Sequence, residues 1–512
     1  MTAYFMRTVE KGIPQFDKIF VISDLHLGGV RGFQIFNSGT ELKKLIDHIR
    51  TLSEDEHVAL IINGDFIDFL AEPRAEHFDP VGATRKLERI VNDGAFASAW
   101  KALKNLVSTP NRSLVVNLGN HDIELALPWV RARLLSLLAG ADDAARGRIT
   151  LAFDGTGFLC SVGNARVLCV HGNEVDDWNV VDYETIRRCG RDMQQGRAVE
   201  SWVPNAGSQL VIDVMNDLKT RYPFVDLLKP EMQAVVPTLA ALAPDQRDKL
   251  RAAAAVAGRL AWDKLRRATG FLSAEEEDAA RRAAARVGKA AIRPGSASRS
   301  AAGDLSVKGE VEFGGRKHAE ALMAQAEDRF RQGIRPMSLI GDDERGQYLG
   351  FRSALVKLAR GADVAEALRE ALKDLGEDRS FELHDEDKTF RELDELIGDN
   401  ADFVIAGHTH LARALPRRKG RGWYFNSGTW ARLIKLEKQV LDDEARFRAV
   451  FDTFSEGTMD ALDAHPGLVL RRLTVVALWT DGVRTRGELH SVGTASADPL
   501  LSQVPNTCFS KV

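Results

Sequence analysis

The hydrophobic positions gather into short, largely apolar runs at residues 18–22, 58–62, 113–118, 166–170 and 402–406, each followed by small or polar residues. Runs of this length, rich in β-branched side chains, predict buried strands. Between the first two, Leu42, Leu45, Ile46 and Ile49 recur at helical spacing within 41–52, and a second helical stretch covers 86–106 ahead of the third run. Strand, helix, strand in this order predicts βαβ units and an α/β fold. Residues 149–153 and 158–162 read as two strands joined by a turn at Asp154-Gly155. Residues 423–430 add a strand and turn, and 468–480 with 483–490 form a closing hairpin about Asp481-Gly482.

From about 176 to 400 the pattern changes, and helical periodicity with alanine- and arginine-rich faces replaces the strands, as in 245–268 and 351–375. Residues 294–309 carry few large apolar side chains and read as a flexible segment. The expected organisation is a core in two parts, 1–175 and 401–512, interrupted by a mainly helical insertion over 176–400. A chain of 512 residues exceeds a single ordinary core, which agrees with that division.

Charge changes the picture little. With 69 basic and 73 acidic residues the net charge is −4, so no global field draws the chain to nucleic acid. The first sixteen residues lack the apolar stretch of a secretory signal, and no run reaches the ~20 apolar residues of a membrane span. Cys160, Cys169, Cys189 and Cys508 have no CxxC spacing. Cys169, in an apolar strand pattern, reads as a buried free thiol rather than a metal ligand or disulfide partner, and a reducing cytoplasm fits best, with or without peripheral contact with a membrane.

The chemistry lies where the strands end. The first run delivers Asp24 and His26, two residues apart and so able to face one ion. The second ends in Gly64-Asp65-Phe66-Ile67-Asp68, the third in Gly119-Asn120-His121-Asp122, the fourth in His171-Gly172, and the fifth in Gly407-His408-Thr409-His410. Each alone has an ordinary reading, such as a turn, a helix cap or a solvated carboxylate. Together, five of the 12 histidines fall at four of these ends and the remaining end carries two aspartates. Oxygen and nitrogen donors of this kind suit Mn, Fe, Zn or Mg rather than a thiolate site.

This ordered motif set resembles the calcineurin-like metallophosphoesterase superfamily over about 18–172 and 402–430. Within it, Asp-Leu-His-Leu, Gly-Asn-His-Asp and His-Gly look most similar to UDP-2,3-diacylglucosamine hydrolases. The resemblance implies a four-layer αββα sandwich with a large, mainly helical insertion. It further implies two divalent ions, Mn²⁺ foremost, with Fe, Zn and Mg as alternatives. One would be held by Asp24, His26, Asp65 and His410, the other by Asp65, Asn120, His171 and His408, with Asp65 bridging. A metal-bridging hydroxide would be the nucleophile, His121 the general acid, and Asp68 the group that orients it.

The implied activity is hydrolysis of a phosphodiester or pyrophosphate in a phosphorylated small molecule or nucleotide-linked lipid. A nuclease or cyclic-nucleotide phosphodiesterase is the alternative, although neutral charge disfavours a duplex nuclease. A non-catalytic scaffold on the same fold is a further reading. Phe69-Leu70 stands where protein phosphatases have Arg-Gly, which argues against that branch. The insertion reads as a cap over the metals or as a surface for oligomers or partners. Trp178, Arg187, Arg188 and the segment 219–224 are candidate cap contacts with substrate, and Arg413 is a candidate phosphate contact.

Overall fold

Strands β2 (Lys18–Ile22), β3 (Val58–Asn63) and β4 (Arg112–Asn117) are continuous apolar runs because both of their faces are covered. Along β3, Val58, Leu60 and Ile62 join the core beneath the outer helices, while Ala59 and Ile61 face a second sheet. Phe20 and Ile22 against Ile19 and Val21 in β2, and Leu114 and Val116 against Val115 in β4, divide in the same way.

The computed structural model describes residues 12–198, 363–495 and 497–511, with short pieces between 202 and 238. All of these belong to one compact unit. The remaining strands, in chain order, are β1 (Gln15–Phe16), β5 (Ile149–Ala152), β6 (Phe158–Val162), β7 (Ala165–Cys169), β8 (Leu228–Lys229), β9 (Phe403–Ala406), β10 (Arg413–Pro416), β11 (Trp423–Asn426), β12 (Leu433–Lys435), β13 (Val469–Leu470), β14 (Thr474–Thr480), β15 (Thr485–Val492), β16 (Leu501–Gln503) and β17 (Phe509–Lys511). The first sheet has the order β16-β15-β14-β2-β3-β4-β5, with β17 beside β15, and is parallel from β2 to β5. The second has the order β1-β6-β7-β9-β11-β10, and β13-β12-β8 forms a small third sheet.

The helices Gly39–Arg50, Ala83–Asn92, Ala97–Ser108 and Pro128–Ala139 pack on the outer face of the first sheet. Lys388–Ile397 covers the second, burying Phe390, Leu393 and Ile397 against Val404, Leu415 and Tyr424. The layers are therefore α, β, β, α, the expected class. Each outer layer is tied by a buried arginine. Arg112 donates to the Ile49, Ser53 and Glu56 carbonyls at the end of Gly39–Arg50, and Arg417 pairs with Asp394 at 2.9 Å and donates to the Ala401 carbonyl. Both donate to backbone oxygens where elements end, the carbonyls that a helix leaves short of partners.

Three details differ from the pattern reading. The turn at Asp154-Gly155 does not close a hairpin, since β5 pairs with β4 in the first sheet and β6 with β1 and β7 in the second. Alternation identifies a strand but not its sheet. Residues 468–480 do not form one strand, because β13 joins the third sheet before the chain enters β14. The region expected to be helical also supplies β8. Within 176–400, the helix Tyr183–Gln194 and the helix Lys388–Ile397 pack on the sandwich, while the segment 294–309 and the pattern at 245–268 lie outside the described residues. No helix among the described residues is long and apolar enough to cross a membrane.

Candidate metal centre

Five loops meet at one edge of the sandwich, following β2, β3, β4, β7 and β9. Backbone bonds lace them together: Asp24 N donates to Gly64 O, His26 N to Asp65 O, Phe69 N to His121 O, and Gly407 N to His171 O. Asp24, His26, Asp65, His408 and His410 all have positive φ, between 48° and 69°, five of the eight such non-glycine residues described. Left-handed backbone is costly for a branched side chain, and its concentration here marks loops held in place by their surroundings. Glycine is required where those loops touch. A Cβ on Gly64 would lie 2.1 Å from His171 Nδ1, and one on Gly119 would lie 2.1 Å from Asp65 Oδ1.

Three of the candidate imidazoles are anchored by one nitrogen. His26 Nδ1 donates to Asp68 Oδ2 at 3.1 Å, His171 Nδ1 to the Asn63 carbonyl at 2.8 Å, and His408 Nε2 to Asp176 Oδ2 at 2.8 Å. Such a bond fixes the tautomer and leaves the other nitrogen as a lone pair. Those free atoms converge. His26 Nε2 and His410 Nε2 are 3.1 Å apart, His410 Nε2 is 3.4 Å from Asp24 Oδ1, and His171 Nε2 is 3.3 Å from Asp65 Oδ2. Ligand atoms of Asp24, His26 and His410 lie within 4.8 Å of one another, as do those of Asp65, His171 and His408. A third group, His26, Asp65 and His121, overlaps both.

Buried His171 Nε2 and Asn120 Oδ1 have no hydrogen-bond partner. An unsatisfied buried acceptor is expensive, and two at one cluster of acceptors fit a cation between them. Charge agrees. Burial disfavours charge on His171, but Asp65 and Asp24 outweigh it and push the imidazole up to about 10. Burial likewise opposes His121, yet Asp68 and Asp65 raise it to about 9. Burial would raise Asp65, but His171 and His121 hold it well below the usual carboxylate range. At His171 and His121 the carboxylates thus favour positive charge, whereas burial and Lys229 push His410 down to about 4. Oxygen and imidazole donors on rigid strand ends fit a divalent ion in both chemistry and arrangement.

Residues 17–222 match the family model for calcineurin-like phosphoesterases. No curated protein matches the chain. The matched phosphoesterase region contains Asp24, His26, Asp65, Asn120, His121 and His171, and ends well before His408 and His410. The fold brings those two back, because β9 lies between β7 and β11 in the second sheet and ends beside His171. A phosphoesterase domain around a cluster of histidines and aspartates supports a metal-dependent hydrolase of phosphoesters.

Asp68 lies between two rings, since its Oδ1 accepts from His121 Nδ1 at 3.1 Å while Oδ2 accepts from His26. His121 is the most open histidine of the cluster, with 19% of its side chain exposed against none for His171. Of the candidate substrate contacts, Trp178 stands beside Asp176 and the Lys219 charge acts on His121, whereas the arginines pair with other groups. Arg413 is buried and donates to the Ala412 and Ser380 carbonyls, with Asp387 at 3.3 Å, and none of these contacts is with the cluster. It stands on β10 and braces Ser380 and Asp387. Exposed Arg187 pairs with Glu184 on its own helix, and Arg188 donates to Thr185. Half-buried Trp178 is held by its backbone, donating to Asp176 and accepting from Gly207. In the segment 219–224, Lys219 pairs with Asp226 and Phe224 stacks on Phe454.

Motif reading passed over Asp176, which accepts from His408 and from Asn179 Nδ2 at 2.6 Å. Asn179 Oδ1 in turn accepts from Asn120 Nδ2 at 3.4 Å. Asp122 was also passed over. It accepts from Gly119 N and Phe66 N, and so pins the β4 loop to the β3 loop. The cue for Asp176 was the acidic stretch directly after His171-Gly172.

Proposed function

We propose that the protein is a binuclear phosphoesterase that hydrolyses a phosphodiester or pyrophosphate bond. One ion would take Asp24, His26, Asp65 and His410, and the other Asp65, Asn120, His171 and His408, with Asp65 shared. The observation that carries this reading is the pair of unpartnered buried acceptors, Asn120 Oδ1 and His171 Nε2, on opposite sheets at one cluster. Two bound divalent ions, Mn²⁺ foremost, would supply charge to the phosphoryl oxygens and lower the pKa of water.

The side chains support the remaining roles. Asp68 holds His121 by Nδ1, which leaves Nε2 as the proton-bearing atom on the more open side. The nearby carboxylates favour the imidazolium, the form that can act as an acid. As the bond from water oxygen to phosphorus forms and the bond to the leaving oxygen breaks, His121 Nε2 gives its proton to that oxygen and regains one from solvent. Asp176 fixes the His408 ring so that Nδ1 is its free donor atom.

The test is to strip the protein with a chelator, reload it with Mn²⁺, and measure hydrolysis of bis-p-nitrophenyl phosphate. Activity should vanish on stripping and return on reloading. Activity indifferent both to chelation and to Asp65→Asn would overturn the reading.

A further inference from the structure

An asparagine serves a cation only through its amide oxygen, yet the oxygen and nitrogen of that group have nearly the same shape, so a neighbour must decide which of them faces the site. At Asn120 the decision falls to Asn179. Asn120 Nδ2 donates to Asn179 Oδ1 at 3.4 Å, which leaves Asn120 Oδ1 as the buried, unpartnered atom at the cluster. Asn179 is turned in the same way, because its Nδ2 donates at 2.6 Å to Asp176 Oδ2, and an ionised carboxylate only accepts. The polarity of both amides therefore runs outward from one oxygen, the same Oδ2 that takes the bond from His408 Nε2 at 2.8 Å. Turning either amide over would set oxygen against oxygen and lose a hydrogen bond.

Asn179 is itself clasped. Its carbonyl accepts from Asn173 Nδ2 at 3.1 Å and from Asn205 Nδ2 at 3.3 Å, and Gly207 N donates to the neighbouring Trp178 carbonyl at 2.8 Å. Asn205 Oδ1 in turn accepts from Ser208 N at 2.7 Å. Gly207 lies so near that a Cβ there would stand 2.0 Å from Asn179 Oδ1, the atom that holds Asn120. We infer that Asn179 is a positioning residue, which turns Asn120 Oδ1 toward the ion assigned to His171 and His408, and that Asn205 and Gly207 keep its amide in place. This deepens the proposed function and rests on its two-ion reading.

The decisive experiment is a calorimetric titration of the chelator-stripped protein with Mn²⁺, which needs no turnover. Asn179→Ala should weaken one of the two binding steps by about 10–100-fold, the usual range for a group that orients a ligand, and leave the other near wild type. A carboxylate has two equivalent oxygens and needs no turning. In Asn120→Asp the further change Asn179→Ala should therefore cost about twofold or less. If Asn120→Asp removes that step outright, Asn120→Ala serves as the second background with the same expectation. Gly207→Ala drives a Cβ onto Asn179 Oδ1 and should weaken the same step, and it decides the matter if Asn179→Ala loses the wild-type melting temperature. Equal penalties for Asn179→Ala with and without the Asn120 amide, or wild-type binding in the folded Asn179→Ala or Gly207→Ala protein, overturn the inference while two ions still bind. A wild-type protein that takes up fewer than two Mn²⁺ fails the two-ion reading itself and carries this inference with it.

Discussion

Two carboxylates hold histidines at this centre, one from each sheet. Asp68 follows β3 in the first sheet and grips both His26 and His121, while Asp176 follows β7 in the second and grips His408 alone. Asp68 works within a compact lattice, since its own N donates to Leu27 O and its Oδ1 also accepts from Ala71 N. Asp176 lies in the loop after β7, and its side chain also holds Asn179 and the Trp178 backbone. The first-sheet half is thus braced from inside the core. The second-sheet half is braced by the segment that directly follows His171-Gly172.

The largest expected effects break the centre as a whole. Asp65 lies near ligand atoms from both sheets, so Asp65→Asn should lower kcat/KM by about a thousandfold or more, equivalent to about 4 kcal/mol, and reduce bound Mn²⁺ measured by elemental analysis. His121→Ala should lower kcat/KM by about 10²–10⁴ with metal content retained. The loss should be smaller for a p-nitrophenol leaving group than for an alkyl alcohol, because the better leaving group needs less protonation. Metal loss in that variant would make His121 a ligand, an outcome its overlap with His26 and Asp65 leaves open to measurement.

The comparison itself is sharpened by Asp68→Asn and Asp176→Asn. Each should cost about 10–100-fold in metal affinity or activity, the usual range for groups that orient ligands. Asp68→Asn should stand at the upper end and lower kcat as well, because two rings lose their anchor. Asp176→Asn should weaken one of two Mn²⁺ binding steps in a titration and leave the other near wild type. Equal weakening of both steps would mean that the two braces are not independent.

The same contrast explains what was legible in the sequence. Asp24, His26, Asp65, Asn120, His171, His408 and His410 stand at strand ends, and a parallel α/β arrangement gathers strand ends at one edge, so local pattern made them candidates while their roles as ligands came from the family resemblance. The inward and outward alternation of β2, β3 and β4 followed from the same runs. Pairings across the chain were not legible. Asp176 meets His408 over a separation of 232 residues, and Arg413 is turned to Ser380 and Asp387 by the geometry of β10. Neither contact leaves a periodic trace. The Asp154-Gly155 turn looks like any hairpin, although it carries the chain from one sheet to the other.

The smallest effect isolates a third kind of carboxylate, one that no histidine holds. Glu124 follows the β4 loop, is buried, accepts from Asp79 N at 3.1 Å through Oε1, and leaves Oε2 without a partner. Burial, more than its neighbours, pushes it from 4.5 up to about 7. The folded state therefore retains a proton that the unfolded chain releases. Its contribution is fully present below pH 4.5 and is lost as pH rises through about 7. Glu124→Gln removes the charge while keeping the bond to Asp79. It should stabilise the fold at pH 8 by about 1–3 kcal/mol and little or not at all at pH 5, read as melting temperatures at the two pH values. An equal shift at both would show that packing, not ionisation, governs this position, and that the histidine-held carboxylates are not the exception among the buried acids of this edge.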